Sequence, residues 1–93
     1  MAQTVVTIKI MPDGIDADMN AIQEAANTKI NAFTGENGEK RITIEPVAFG
    51  LKALKIIFVM DEKLGSTEPL EHDLATIQGV GSVDVIDVRR AIG

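Results

Sequence analysis

Apolar and polar residues alternate over Val5-Val6-Thr7-Ile8-Lys9-Ile10-Met11, with Val6, Ile8 and Ile10 on one parity and Thr7 and Lys9 on the other. β-branched residues at a period of two mark a half-buried strand. Pro12-Asp13-Gly14 follows with turn chemistry. The period then lengthens: Met19, Ile22, Ala26, Ile30 and Phe33 recur every three or four residues, which predicts a helix from Asp16 to about Phe33. Asp16 can cap its first amides, and Asp18 suits the positive end of its dipole. Thr34-Gly35-Glu36-Asn37-Gly38 reads as a helix end and a flexible loop.

Alternation resumes in Arg41-Ile42-Thr43-Ile44-Glu45, a second strand that Pro46 ends. Lys52 to Met60 is a third strand, apolar on both parities near its end, as suits a central strand. Asp61-Glu62-Lys63-Leu64-Gly65 is a loop. Ser66-Thr67-Glu68-Pro69 then opens a second helix with a hydroxyl cap, an early Glu and a Pro in the first turn. Leu70, Leu74 and Ile77 form its apolar stripe, and Gly79-Val80-Gly81 ends it. Val83 to Val88 is a fourth strand whose parity slips around Val85 and Ile86, which predicts a bulge or twist. Arg89-Arg90-Ala91-Ile92-Gly93 reads as a short tail.

The order strand, helix, strand, strand, helix, strand is the split β-α-β, or ferredoxin-like, arrangement. Its fold class is α+β: two right-handed crossovers interleave into a four-stranded antiparallel sheet with both helices on one face. The other face is left open. At 93 residues the whole chain, 1-93, is expected to form one domain, since two would each be short of core.

Composition narrows the function classes. There are 14 acidic and 9 basic residues, a net charge of -5, which argues against direct binding to nucleic acid. An RNA-recognition domain of this fold also needs aromatics on its central strands, and the sequence has only three Phe and no Tyr or Trp. No apolar run approaches a membrane span, and no secretory signal is visible at MAQTVV. The expectation is a cytoplasmic domain with no membrane contact. The absence of cysteine removes disulfides, thiolate catalysis and zinc-cysteine sites.

Candidate chemistry is sparse. Gly35-Glu36-Asn37-Gly38 is too short for a phosphate loop and lacks its lysine. His72, the one histidine, lies two residues from both Leu70 and Leu74 and points off the apolar stripe, as a solvated residue would. Asp16 and Asp18 are better explained by helix capping. Asp84 and Asp87 would face opposite sides of a strand unless a bulge intervenes. Asp61-Glu62 and Glu68-Glu71 lack the register of a calcium loop. No catalytic group, resident metal or cofactor is expected, and a binding protein is favoured over an enzyme.

Two features resist a purely structural account. The connection Glu45-Pro46-Val47-Ala48-Phe49-Gly50-Leu51 places four apolar residues where a turn should be polar. Gly50 allows a positive φ, and an aromatic exposed at such a tip is an interaction anchor. The bland alternative folds Phe49 back over the core. Arg89-Arg90 is a doubly basic tip on an acidic chain, either a solvated terminus or a cationic probe for an acidic or phosphate-bearing site. The third and fourth strands run the same way, so the two features sit at opposite ends of the sheet. No small molecule touches both, whereas a large protein partner can.

Taken together, these segments resemble one family. Glu45-Pro46-Val47-Ala48-Phe49-Gly50-Leu51-Lys52-Ala53-Leu54 resembles the P-[IV]-[GA]-[FY]-G-[LI]-K-x-L stretch of translation elongation factor 1-beta. Val6-Thr7-Ile8-Lys9-Ile10-Met11-Pro12 resembles the first strand of its archaeal members, and Val83 to Arg90 resembles their D-V-R-R close. The resemblance runs from about Val5 to Ile92. It implies a ferredoxin-like guanine-nucleotide exchange factor for elongation factor 1-alpha, the GTPase that delivers aminoacyl-tRNA. It implies that Phe49, with Ala48, Gly50 and Lys52 around it, contacts the second domain of that GTPase. It also implies that a C-terminal basic residue reaches toward the magnesium and phosphate site. Aligning Ser82-Val83-Asp84 with the eukaryotic S-x-D places Arg90 at the family's lysine and Arg89 just before it. The N-terminal region of eukaryotic members has no counterpart, so contacts with other factor subunits are not expected. The competing expectations are a small-molecule-binding regulatory domain of ferredoxin-like fold and an interaction module without exchange activity.

Overall fold

Four strands and two helices account for most of the described chain. The computed structural model describes residues 3–35 and 40–91, with the side chain of Ala91 left aside. The strands β1 (Gln3–Pro12), β2 (Lys40–Pro46), β3 (Lys52–Asp61) and β4 (Val80–Ala91) form one sheet in the order β2-β3-β1-β4, and every neighbouring pair is antiparallel. The helices are α1 (Met19–Thr34) and α2 (Glu68–Ala75). This is the α+β, ferredoxin-like arrangement that the periodicities predict.

The core follows from the parity of the two central strands. Val6, Ile8 and Ile10 of β1 lie opposite Phe58, Ile56 and Leu54 of β3, so all six project to one face. There they meet Ile22, Ala26 and Ile30 of α1 and Leu70 and Leu74 of α2. Burial of each large aliphatic side chain contributes about 1.5–3 kcal/mol. Phe33 and Ile77 pack at the edge of this cluster. The opposite face carries Thr7, Lys9, Lys55, Arg41 and Glu45 and is covered by neither helix.

Helix boundaries differ from the sequence expectation in informative ways. α1 starts at Met19, and its cap is Asp18, whose Oδ1 accepts from the Ala21 N–H at 3.1 Å. Asp16 lies before the helix in a turn, so the proposed Asp16 cap is incorrect. Gly35 closes α1 in the left-handed region with φ 80, its N–H bonded to the Asn31 carbonyl. The remainder of the expected loop, residues 36–39, lies outside the described residues. At α2, Thr67 makes no side-chain cap bond to the backbone; its hydroxyl donates instead to Glu71 Oε2 at 2.8 Å, and Ser66 Oγ accepts from the Glu68 N–H at 3.1 Å. α2 ends at Ala75, so Ile77 packs from beyond the helix, and Val80 and Gly81 already belong to β4.

β4 contains the expected bulge. Thr7 pairs with Asp87 and Ile8 with Val85, leaving Ile86 as the extra residue. The bulge brings Asp84 and Asp87 to the same face, opposite Lys9 and Thr7. A second irregularity leaves Gly81 unpaired between Ser82, opposite Met11, and Val80, opposite Pro12. Arg89 and Arg90 form no tail: they pair with Val5 and Thr4 as strand residues, while Ile92 and Gly93 lie outside the described residues.

Candidate functional site

The β2–β3 connection is a tight turn with its aromatic pointing outward. Val47 N–H donates to the Leu51 carbonyl at 2.7 Å, and Leu51 N–H donates to the Ala48 carbonyl at 3.3 Å, so the backbone closes on itself. Ala48–Gly50 forms a single 3-10 turn. Gly50 takes φ 78, as the turn requires. Phe49 takes φ 62 as well, which no other non-glycine among the described residues does. A bulky side chain in the left-handed region carries backbone strain. Phe49 is 95% exposed. Its ring therefore does not fold back over the core, and no burial offsets the strain. Ala48, Gly50 and Lys52 are exposed around it.

A residue that periodicity does not single out joins this tip. Ile15 sits in the β1–α1 turn and is 70% exposed. Its Cγ2 lies 3.6 Å from where a Cβ on Gly50 would stand, so the two turns touch. Ile15, Gly50 and Lys52 line one cleft with Pro12, Ala17 and Met19.

The cationic pair lies at the other end of the sheet. Arg90 pairs with Thr4 near the start of β1, whereas the Phe49 turn lies beside Pro12 at its end. The strand advances roughly 23 Å between Thr4 and Met11 at about 3.3 Å per residue. The longest dimension of the fold is 42 Å. The expected separation of the two features holds.

Strand alternation divides the two arginines. Arg90 lies on the helix side of the sheet and pairs with Glu62 in the β3–α2 connection. Arg89 lies on the open face, where its Nε is 2.9 Å from Asp87 Oδ2. Both side chains are mostly exposed, and such pairs contribute about 0–1 kcal/mol, so either guanidinium can leave its carboxylate at small cost. A single approach to this end meets one arginine in front and the other behind.

His72 is exposed on α2, as expected of a solvated histidine. Among the described residues, no group of three or more His, Cys, Asp or Glu side chains is placed to hold a metal ion. Also among them, no helix is long and apolar enough to cross a membrane.

Similarity to known proteins spans nearly the whole chain. Residues 5–91 match the family described as the EF-1 guanine nucleotide exchange domain. A protein named elongation factor 1-beta from Methanosarcina barkeri is 39% identical over 90 residues, covering 97% of this chain and 99% of that protein. One of the same name from Methanobrevibacter smithii is 39% identical, covering 97% and 98%. Another from Staphylothermus marinus is 41% identical over 92 residues, again covering 97% and 98%. These relatives come from archaea.

Proposed function

The chain belongs to the EF-1 guanine nucleotide exchange family of translation elongation, and from that premise we propose that it releases GDP from elongation factor 1-alpha by gripping the GTPase at two distant points. It makes and breaks no bond. The observation that carries this reading is the exposed, strained Phe49 at one end of the sheet and the arginine pair at the other.

Phe49 supplies anchoring. A rigid aromatic at a loop tip gains apolar burial on docking and has little rotamer freedom left to lose. Ala48, Gly50 and Lys52 frame it and fix its direction. The basic tip supplies the perturbation. GDP is held in such GTPases by phosphate contacts and by a magnesium ion of the GTPase itself. A guanidinium brought beside that site competes with the metal for the phosphate oxygens. Exchange then requires tighter binding to the nucleotide-free GTPase than to the GDP-bound form, because only differential affinity shifts the equilibrium. The net charge of -5 fits a protein partner and not tRNA.

Stopped-flow release of labelled GDP from the cognate GTPase tests this reading. Wild-type protein is expected to accelerate release. Arg90 aligns with the family's lysine, so Arg90→Ala is expected to cut the maximal stimulated rate at least tenfold, with Arg89→Ala much milder because its side chain faces the other way. A double Arg89→Ala, Arg90→Ala protein that stimulates as well as wild type would show the basic-probe role to be wrong.

A further inference from the structure

We propose that Ile15 is a second anchor on the docking surface of Phe49, so that this end of the domain seats two side chains from two turns in one apolar pocket of the elongation GTPase. The inference rests on the exchange-factor reading above and extends it to a residue of another segment.

A single exposed aliphatic residue needs no explanation. Ile15 differs in how it is held. Ala17 N–H donates to the Gly14 carbonyl at 3.3 Å, closing a turn with Ile15 at its corner. Asp13 N–H donates to the Gly79 carbonyl at 2.8 Å, tying that turn to the α2–β4 connection. Asp18 caps α1 just beyond. The segment is therefore fastened on both sides of Ile15, and the side chain is presented and not merely left over. The turn carrying Phe49 is fastened by its own two hydrogen bonds. The turns meet at Gly50, where a Cβ would stand at ordinary contact distance, 3.6 Å, from Ile15 Cγ2. Val47, also exposed, extends the apolar surface.

The charges around this tip specify its occupant. Asp13 and Asp16 flank Ile15, and Lys52 lines the same cleft, all three exposed, so the patch is apolar at its centre, acidic along one border and basic at another. A complementary surface is an apolar pocket with basic side chains toward the two aspartates and an acidic one toward Lys52. Continuity with the Phe49 contact assigns that pocket to the GTPase and not to a second copy of this acidic chain.

The test is a double-mutant cycle on Ile15→Ala and Phe49→Ala, read as the concentration of exchange factor giving half-maximal GDP release. Ile15→Ala is expected to raise that concentration about tenfold, as for the minority of interface residues whose truncation weakens binding appreciably, and to leave the maximal rate unchanged. The double variant is expected to lose less than the product of the single effects, because the two side chains share one pocket. Thermal unfolding of Ile15→Ala should match wild type, since the side chain is solvated, and this separates lost contact from lost fold. Wild-type half-stimulation by Ile15→Ala, alongside weakened Phe49→Ala, overturns the role of Ile15 and leaves the exchange reading intact. Strictly multiplicative effects overturn the shared pocket. Failure of the wild-type protein to accelerate release at all removes the reading on which the inference stands, and the inference with it.

Discussion

On the proposed reading, Phe49 sets a local conflict between stability and binding. Its φ of 62 belongs to the left-handed region, where a side chain with a Cβ costs about 1–2 kcal/mol relative to glycine. Its ring is 95% exposed and contributes almost no burial in return. Phe49→Gly should therefore stabilise the free protein by about 1 kcal/mol, raising the unfolding midpoint by roughly 4–8 °C for a chain of this size, while removing the anchor. Calorimetry of Phe49→Gly beside its GTPase affinity checks both halves. A lower midpoint would show that the ring contributes to the fold after all. The residue was legible in the sequence because a Phe in a Pro- and Gly-bounded turn has no place in a stripe. Ile15 was not. It lies between the turn Pro12-Asp13-Gly14 and the predicted start of the helix at Asp16, so no periodicity includes it. The cap at Asp18 starts the helix later still and leaves Ile15 in a turn. The Asp-Gly-Ile-Asp run, an aliphatic residue inside turn chemistry, is the signal that could have marked it.

Among the elements, β4 departs most from simple alternation. Its bulge at Ile86 was readable because two apolar residues in succession break a period of two. Its continuation through Arg89 and Arg90 was not, because two charges in succession look like a strand's end. Those arginines remain in the sheet by pairing with Val5 and Thr4 of the central β1. Arg90 points to the helix side and still meets Glu62 and solvent rather than core. The second irregularity has a sharper requirement. A Cβ at Gly81 would stand 2.9 Å from the Pro12 carbonyl oxygen and 3.1 Å from the Asp13 Cα, both backbone atoms. Gly81→Ala must therefore displace the β1–α1 connection, at a cost of about 1–3 kcal/mol. Denaturant unfolding measures the loss. Because the same connection carries Ile15, a weaker grip on the GTPase should accompany it. An unchanged midpoint would mean that β4 shifts freely at this point. At α2 the hydroxyl that meets a first-turn amide is that of Ser66, at the Glu68 N–H, while the Thr67 hydroxyl is engaged by Glu71.

At the scale of the whole molecule, the two ends are expected to act independently in energy and jointly in effect. Phe49 and Arg90 are far apart and share no neighbour, so their free-energy losses should add within about 0.5 kcal/mol. Phe49 and Ile15, one turn against another, should not add. Measuring GDP release by the Phe49→Ala, Arg90→Ala double variant gives the comparison, and strong coupling between the two ends would point to a deformable sheet. The antiparallel four-stranded sheet, the helices on one of its faces and the separation of the ends all followed from strand parity and the alternation of elements. The way the arginines divide between faces did not, because it depends on how far β4 extends. That sheet is the feature with the widest consequence. Central strands bonded along their length resist stretching, so the distance between anchor and basic tip is fixed before any partner arrives. The domain is then a gauge. On the proposed two-point reading it fits a GTPase whose anchor pocket and nucleotide site stand one set interval apart, and a partner that opens or closes that interval is gripped or let go without any change in the surfaces themselves.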